Sequence, residues 1–177
     1  MSLPTEPGNN SKNSVFVGPY QKVIGSIPIL PIRDSVKGGA EPAFDIVDEV
    51  IYHYRTNIWM RNFKIATEAD RLLIYLTFYA QKCVKMFAQQ KDKTKAKTQL
   101  ESWNLNPFPL PGDSSFILSS LVTEPDKADV PALRAFLKQC RVEVGYRLLN
   151  KVFQDNTPDK WWSCFGSRKF MDKDMQN

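Results

Sequence analysis

The amino-acid sequence predicts an all-α protein: a single compact helical domain with one long central helix surrounded by the others, an extended N-terminal segment and a long proline-containing loop. Three observations predict it. Apolar residues recur at helical spacing over 45–60, 68–90 and 129–153, the pattern that lets one face of a helix meet a core. The second of these stretches is apolar on every side, as a helix enclosed by its neighbours is. Prolines and glycines gather outside the three stretches, in 21–43 and 104–129, where they cost no helix a hydrogen-bond donor or backbone entropy. The chain has 177 residues, 42% of them hydrophobic and 24% charged. That length suits one domain able to bury about 70% of its unfolded surface without a disulfide or metal staple.

Residues 1–21 read as a flexible N-terminal arm and 22–177 as the domain. Over 21–43, Pro28, Pro31, Pro42, Gly25, Gly38 and Gly39 favour extended or irregular backbone, while Ile27, Ile29, Leu30 and Ile32 point it at the core. In the first helix Val47, Val50, Ile51, Tyr54 and Ile58 share a face, and Asp45, Asp48 and Glu49 crowd a first turn where negative charge meets the helix dipole favourably. Thr67-Glu68-Ala69-Asp70 resembles a capping box opening the second helix. A short helix is expected over 96–103. The 104–129 connection, with Phe108, Leu110, Phe116, Ile117 and Leu118, is too apolar to hang free. Asp129 is placed to cap the last long helix, with Pro131 in its first turn. That helix carries a main stripe through Leu133, Leu137, Cys140, Val144 and Leu148. A second stripe through Val142, Tyr146, Leu149 and Phe153 needs a cover, for which the tryptophan-bearing tail is the nearest candidate. In the tail, Thr157 and Pro158 suit the start of a short helix carrying Trp161 and Trp162. Adjacent residues on a helix are rotated by about 100°, so the two rings cannot share one narrow stripe.

Chemistry finds little purchase. Cys83, Cys140 and Cys164 have neither disulfide nor zinc spacing, which suits a reducing cytosol. His53, the only histidine, sits one turn after Glu49 and reads as a surface residue paired with that carboxylate. No glycine-rich phosphate loop or serine elbow is present. No leader is visible in the polar first twenty residues, and the longest apolar run, 72–80, is far short of the roughly 20 residues a membrane helix needs. Pro28-Ile29-Leu30-Pro31-Ile32-Arg33 matches a PxxPxR ligand for an SH3-type groove, but its aliphatic residues argue for burial. The net charge of +5 suits an anionic partner. Lys82, Lys85, Lys91, Lys93, Lys95 and Lys97, with Trp103 nearby, leave open a basic helical module binding nucleic acid, a protein partner with an acidic face, or a plainly solvated helix end.

Ordered blocks along the chain carry more than physics. They are Ile24-Gly25-Ser26, Leu30-Pro31-Ile32-Arg33 and Lys37-Gly38; Asp45-Ile46-Val47-Asp48-Glu49, Asn62-Phe63 and Glu68-Ala69-Asp70-Arg71; Phe108-Pro109-Leu110-Pro111-Gly112; and Lys160-Trp161-Trp162-Ser163-Cys164-Phe165 with Arg168 and Phe170-Met171. Together they resemble the family of subunit three, the 21-kilodalton subunit, of the actin-related protein 2/3 complex, over about residues 22–173. The sequence departs from that pattern before Lys22, at Asp113-Ser114-Ser115 and over 88–104. The resemblance implies an all-helical, non-catalytic structural subunit of a seven-subunit assembly in the cytoplasmic actin cytoskeleton, at the cell cortex or projections. It implies no cofactor, no metal, no nucleic acid and no membrane insertion. Such a subunit docks on an actin-related subunit, supports filament nucleation and branching, and helps meet the mother filament. The residues expected at protein interfaces are Trp161, Trp162, Phe165 and Phe170 for packing or docking. For contact with acidic actin they are Arg168, Lys169, Lys173, Lys85, Lys91, Lys93, Lys95 and Lys97.

Overall fold

The computed structural model describes residues 13–59 and 63–175. Among them five α-helices and one 3-10 turn follow a two-stranded ribbon: β1 (Val23–Ile24), β2 (Ile27–Pro28), α1 (Ile46–Asn57), α2 (Glu68–Gln89), α3 (Lys93–Leu105), α4 (Val130–Val152), α5 (Lys160–Ser163) and the 3-10 turn Phe170–Asp172. The strands pair antiparallel, Val23 with Pro28 and Ile24 with Ile27. The structure is mostly helical, roughly consistent with the all-α expectation, with one small ribbon besides. Its connection, Gly25-Ser26, takes positive φ at both residues (57° and 65°), the twist a two-residue hairpin favours. A side chain at Gly25 would meet the Thr123 carbonyl oxygen at 2.7 Å, so glycine lets the hairpin press against the 106–129 connection.

α2 packs against α1, α3, α4, α5 and β2. Leu72 to Ala80 are buried without a break, including Tyr75, Phe78 and Tyr79, because apolar residues occupy every side of those turns. Its N-terminus is set by Asp70, whose carboxylate accepts from the amides of Ala66 (2.7 Å) and Thr67 (3.0 Å). In α1 the capping box is formed by Asp45 and Asp48. Asp45 Oδ1 accepts from the amides of Val47 and Asp48, both at 3.0 Å, and the Asp45 amide donates back to Asp48 at 3.3 Å. Glu49, expected with them in the dipole cluster, is instead buried and turned to the N-terminal segment.

The N-terminal stretch divides. Residues 1–12 lie outside the described residues, whereas 13–16 pack on the helices. Glu49 accepts from the Ser14 hydroxyl (2.8 Å) and the Val15 amide (2.7 Å). Asp70 accepts from the Asn13 side-chain amide and the Ser14 backbone amide, both at 2.7 Å. Phe16 stacks on Phe44 with centroids 6.0 Å apart. Burial pushes the Glu49 carboxyl up, against the bonds from Val15 and Ser14.

Other local expectations change. α3 starts three residues earlier than the apolar spacing suggests, because Asp92 caps it by accepting from the Lys95 amide at 2.8 Å. Asp129 precedes α4, but its carboxylate meets Lys22 Nζ at 2.7 Å and makes no cap bond. The second stripe of α4 meets α3 at Tyr146 and α2 at Phe153. Leu100 of α3 sits over Gly145, where a Cβ would be 2.6 Å from a Leu100 methyl, and Tyr146 donates to Glu101 at 2.9 Å. Phe153 at the end of that stripe meets Phe87 edge-on, with centroids 5.9 Å apart.

His53 is not a surface residue paired with Glu49. It is buried, its Nε2 has no hydrogen-bond partner, and burial lowers its pKa. The PxxPxR reading also fails. Pro28 is buried, and Arg33 donates to the Ala43 carbonyl (2.8 Å) and to Asp48 (2.9 Å).

One ionic cluster ties the extended segment to α1 and α4. Arg147 of α4 donates through Nη1 to Asp45 (2.7 Å) and Asp48 (3.0 Å), through Nη2 to Asp45 (2.9 Å) and the Arg33 carbonyl (2.8 Å), and through Nε to Glu143 (2.9 Å). Ser35 caps the cluster on Glu143. Burial alone would raise the Asp45 carboxyl, but the Arg147 guanidinium and the amides of Arg33 and Asp48 together hold it below its ordinary value. No helix among the described residues is long and apolar enough to cross a membrane.

Candidate protein interface

The tail is built on α5, a single turn. Its cap is Asp159 rather than Thr157: the Asp159 carboxylate accepts from the Trp161 amide at 2.6 Å, and its carbonyl accepts from the Ser163 hydroxyl at 2.9 Å. The turn separates the tryptophans. Trp162 is 7% exposed and stacks on Tyr54 of α1, with centroids 5.8 Å apart and planes 23° apart. Trp161 is 74% exposed.

After the turn the chain comes close to α2 at Gly166, where a Cβ would lie 2.9 Å from Ala88 Cβ. Phe165 is half-buried and edge-on to both Tyr54 (6.4 Å) and Trp59 (6.2 Å). Phe170 is fully buried, 4.9 Å from Phe78 and 6.4 Å from Phe63 between centroids. Gln81 of α2 clamps this end of the tail. Its Oε1 accepts from the Phe170 amide (2.6 Å), and its Nε2 donates to the Lys173 carbonyl (3.2 Å) and to Asp174 (3.0 Å).

Of the four aromatic residues singled out in the tail, Trp162 and Phe170 are thus core, Phe165 is a wedge, and Trp161 alone is largely free. Among the cations, Arg168 lies over the Trp59 ring, 4.1 Å from its centroid, an arrangement in which the ring face attracts the guanidinium. Lys169 meets Asp174 at 3.1 Å and Lys85 meets it at 3.7 Å. The side chain of Lys173 is exposed. Along α3, Lys95 pairs with Asp92 (3.4 Å) and Lys97 with Glu101 (3.8 Å), while Lys93 Nζ donates to the Phe153 carbonyl (3.3 Å). Lys91 is exposed. The lysine run is therefore a face of alternating sign rather than an unbroken positive strip.

Sequence reasoning missed the α1 side of this surface. Trp59, just past the helix end, is 54% exposed, and Tyr52 is exposed as well. Arg55 lies 4.7 Å from the centre of the Trp162 ring. The signal was available: residues 52, 55 and 59 are spaced i, i+3, i+7, opposite the buried face of Val47, Val50 and Tyr54. Between α1 and the end of α4 runs an open groove of about 910 Å³, lined by Phe44, Ile51, Tyr52, Arg55, Lys151 and Trp162, among others. This assembly has the makings of a contact surface, since exposed tryptophan, tyrosine and arginine on a well-packed base are what binding surfaces use.

The profile of one family, described as P21-Arc, the ARP2/3 complex ARPC3 (21 kDa) subunit, matches residues 10–175. The chain is 38% identical over 159 residues to the actin-related protein 2/3 complex subunit 3 of Dictyostelium discoideum, covering 86% of this chain and 91% of that protein. It is 39% identical over 152 residues to a probable actin-related protein 2/3 complex subunit 3 of Caenorhabditis elegans, covering 82% and 83%. It is 38% identical over 156 residues to the subunit 3 of Schizosaccharomyces pombe, covering 84% and 89%.

Proposed function

The chain belongs to the family of the 21 kDa subunit of the ARP2/3 complex, and from that membership we propose that it is a non-catalytic structural subunit supporting actin filament nucleation and branching. The observation that carries the reading is the breadth of the family match, residues 10–175. In this reading the chain joins the other subunits of a seven-subunit assembly, docks on an actin-related subunit and helps meet the mother filament. Its place is the cytoplasmic actin cytoskeleton, at the cortex or in projections. The long α2, enclosed by the other helices, gives the domain the stiffness a spacer needs.

The geometry supports a division of labour in the tail. Trp162 and Phe170, held in the core, fix the base from which Trp161 and the Trp59–Arg168 pair project. Arg168, Lys169, Lys173 and the 85–97 lysines supply the electrostatic share of the contact with acidic actin. Several of those lysines already carry a carboxylate neighbour, so their contribution is steering rather than affinity. The same interleaved carboxylates make a polyanion such as nucleic acid the poorer fit, because each would face phosphate.

Two variants test the reading in a reconstituted complex. Trp161→Ala removes an exposed ring, so the chain's own stability should change by less than about 0.5 kcal/mol while incorporation or branching weakens. Arg168→Glu with Lys169→Glu should likewise lower branch density and leave the circular-dichroism melt nearly unmoved. Normal assembly and normal branch density in both variants would remove these residues from the contact. Failure of the wild-type chain to co-elute with two actin-like chains would remove the function.

A further inference from the structure

A cleft of about 360 Å³ opens between α2, α3 and the end of the tail, with Lys82, Lys85, Met86, Trp103, Asp174 and Met175 among the residues on its walls. Its volume is in the range of small-ligand sites, about 300–1,000 Å³. Lys82 is half-buried here with its Nζ 4.8 Å from the centre of the Trp103 ring, and among the described residues no carboxylate pairs with it.

Behind it lies a second cation in the same condition. Arg141 of α4 is buried between the Tyr79 and Phe108 rings, 4.4 and 4.3 Å from their centroids, and it too has no carboxylate partner among the described residues. Met175 lines both this cleft and the small one beside Arg141. Burial and the Arg141 charge both lower the Lys82 pKa. Asp174 does not answer these charges, being occupied by Lys85, Lys169 and the Gln81 amide. A buried guanidinium among tyrosine and phenylalanine side chains and a half-buried ammonium beside it, neither with a carboxylate partner among the described residues, leave a positive field that an anion would relieve.

We propose that this cleft binds a small organic anion, a phosphate or carboxylate carried on an apolar group. The charged end meets Lys82, with Lys85 beside it keeping Asp174 neutralised, and the apolar end lies against Met86, Met175 and the Trp103 ring. A lysine ammonium is a point charge that accepts either oxyanion, and the thioethers offer an adaptable apolar wall. The inference does not depend on membership of the complex.

The test uses the full chain, nitrogen-15 labelled, with the Trp103 indole N–H resonance identified by its loss in Trp103→Phe. Phenyl phosphate and benzoate are titrated separately, with inorganic phosphate and phenol as the charge-only and ring-only probes. The expected result is a saturable shift of the Trp103 resonance with phenyl phosphate, benzoate or both, tighter than with either control. Which of the two binds more tightly says which oxyanion the site prefers. Lys82→Met, which keeps the stem and removes the charge, should weaken that binding about tenfold or more with an unchanged circular-dichroism spectrum. If that variant does not fold, Lys85→Gln takes its place, with a weakening in the same direction. No saturable shift, equal binding of phenol or of inorganic phosphate, or unchanged affinity in the folded lysine variant would each overturn the proposal.

Discussion

Arg147→Met is expected to lower the stability of the folded chain by about 3–5 kcal/mol, the usual cost of removing one partner from a buried ionic cluster. The reason is Asp45. Its side chain is fully buried, it caps α1 with one oxygen, and both of its oxygens face the Arg147 fork. Methionine fills the volume of the stem and leaves that carboxylate without a counter-charge. Arg147→Lys should recover only part of the loss, because an ammonium cannot reach Asp45, Asp48, Glu143 and the Arg33 carbonyl at once.

The acid dependence follows from the direction of the Asp45 shift. Its folded pKa lies below its unfolded value, so its contribution is present above the unfolded value and is lost as pH falls through the folded one. The gap between wild type and Arg147→Met should therefore be widest near neutrality and narrow once the pH drops below about 4, where carboxyls protonate in the unfolded chain. Urea unfolding of both proteins at several pH values measures it. A gap that is small at neutrality, or that widens in acid, contradicts the assignment.

Phe170→Ala should have an effect of similar size and another origin. The ring is fully buried against Phe78 and Phe63, and truncating a buried aromatic residue costs about 3–5 kcal/mol. In a chain of this length that is a fall in Tm on the order of 10 °C. The Gln81 bond to the Phe170 backbone survives the substitution, so the tail should loosen rather than leave. Trp161→Ala is the counterpart, with the melt kept and assembly weakened. Were Phe170 a docking residue, the pattern would be reversed, with a wild-type melt and a defect only in the complex. Chemical denaturation and incorporation measured side by side separate the two.

Much of the fold was legible because it is written in local spacing. The faces of α1, α2 and α4 follow from apolar residues at helical intervals, and the Asp45 and Asp70 termini from short acidic patterns within one turn. The misses share a different cause. Gly145 accepts Leu100 from 45 residues away, so nothing near either residue announces that α3 covers α4. Arg147 meets Asp45 102 residues off, and no periodicity encodes that. His53 sits one turn from Glu49, which looked like a pair until Ser14 and Val15 were seen to take the carboxylate. In the interface, spacing could say that Trp161 and Trp162 diverge but not which one turns inward. That choice rests on Tyr54, a residue of another helix.

Glu49 and Asp70 also set a limit on where the protein can be cut. A version trimmed to begin at residue 22 would retain every helix, yet it would strip Glu49 of the Ser14 hydroxyl and Val15 amide and leave Asp70 with the amides of Ala66 and Thr67 alone. Any shortened version therefore has to keep Asn13, Ser14 and Val15.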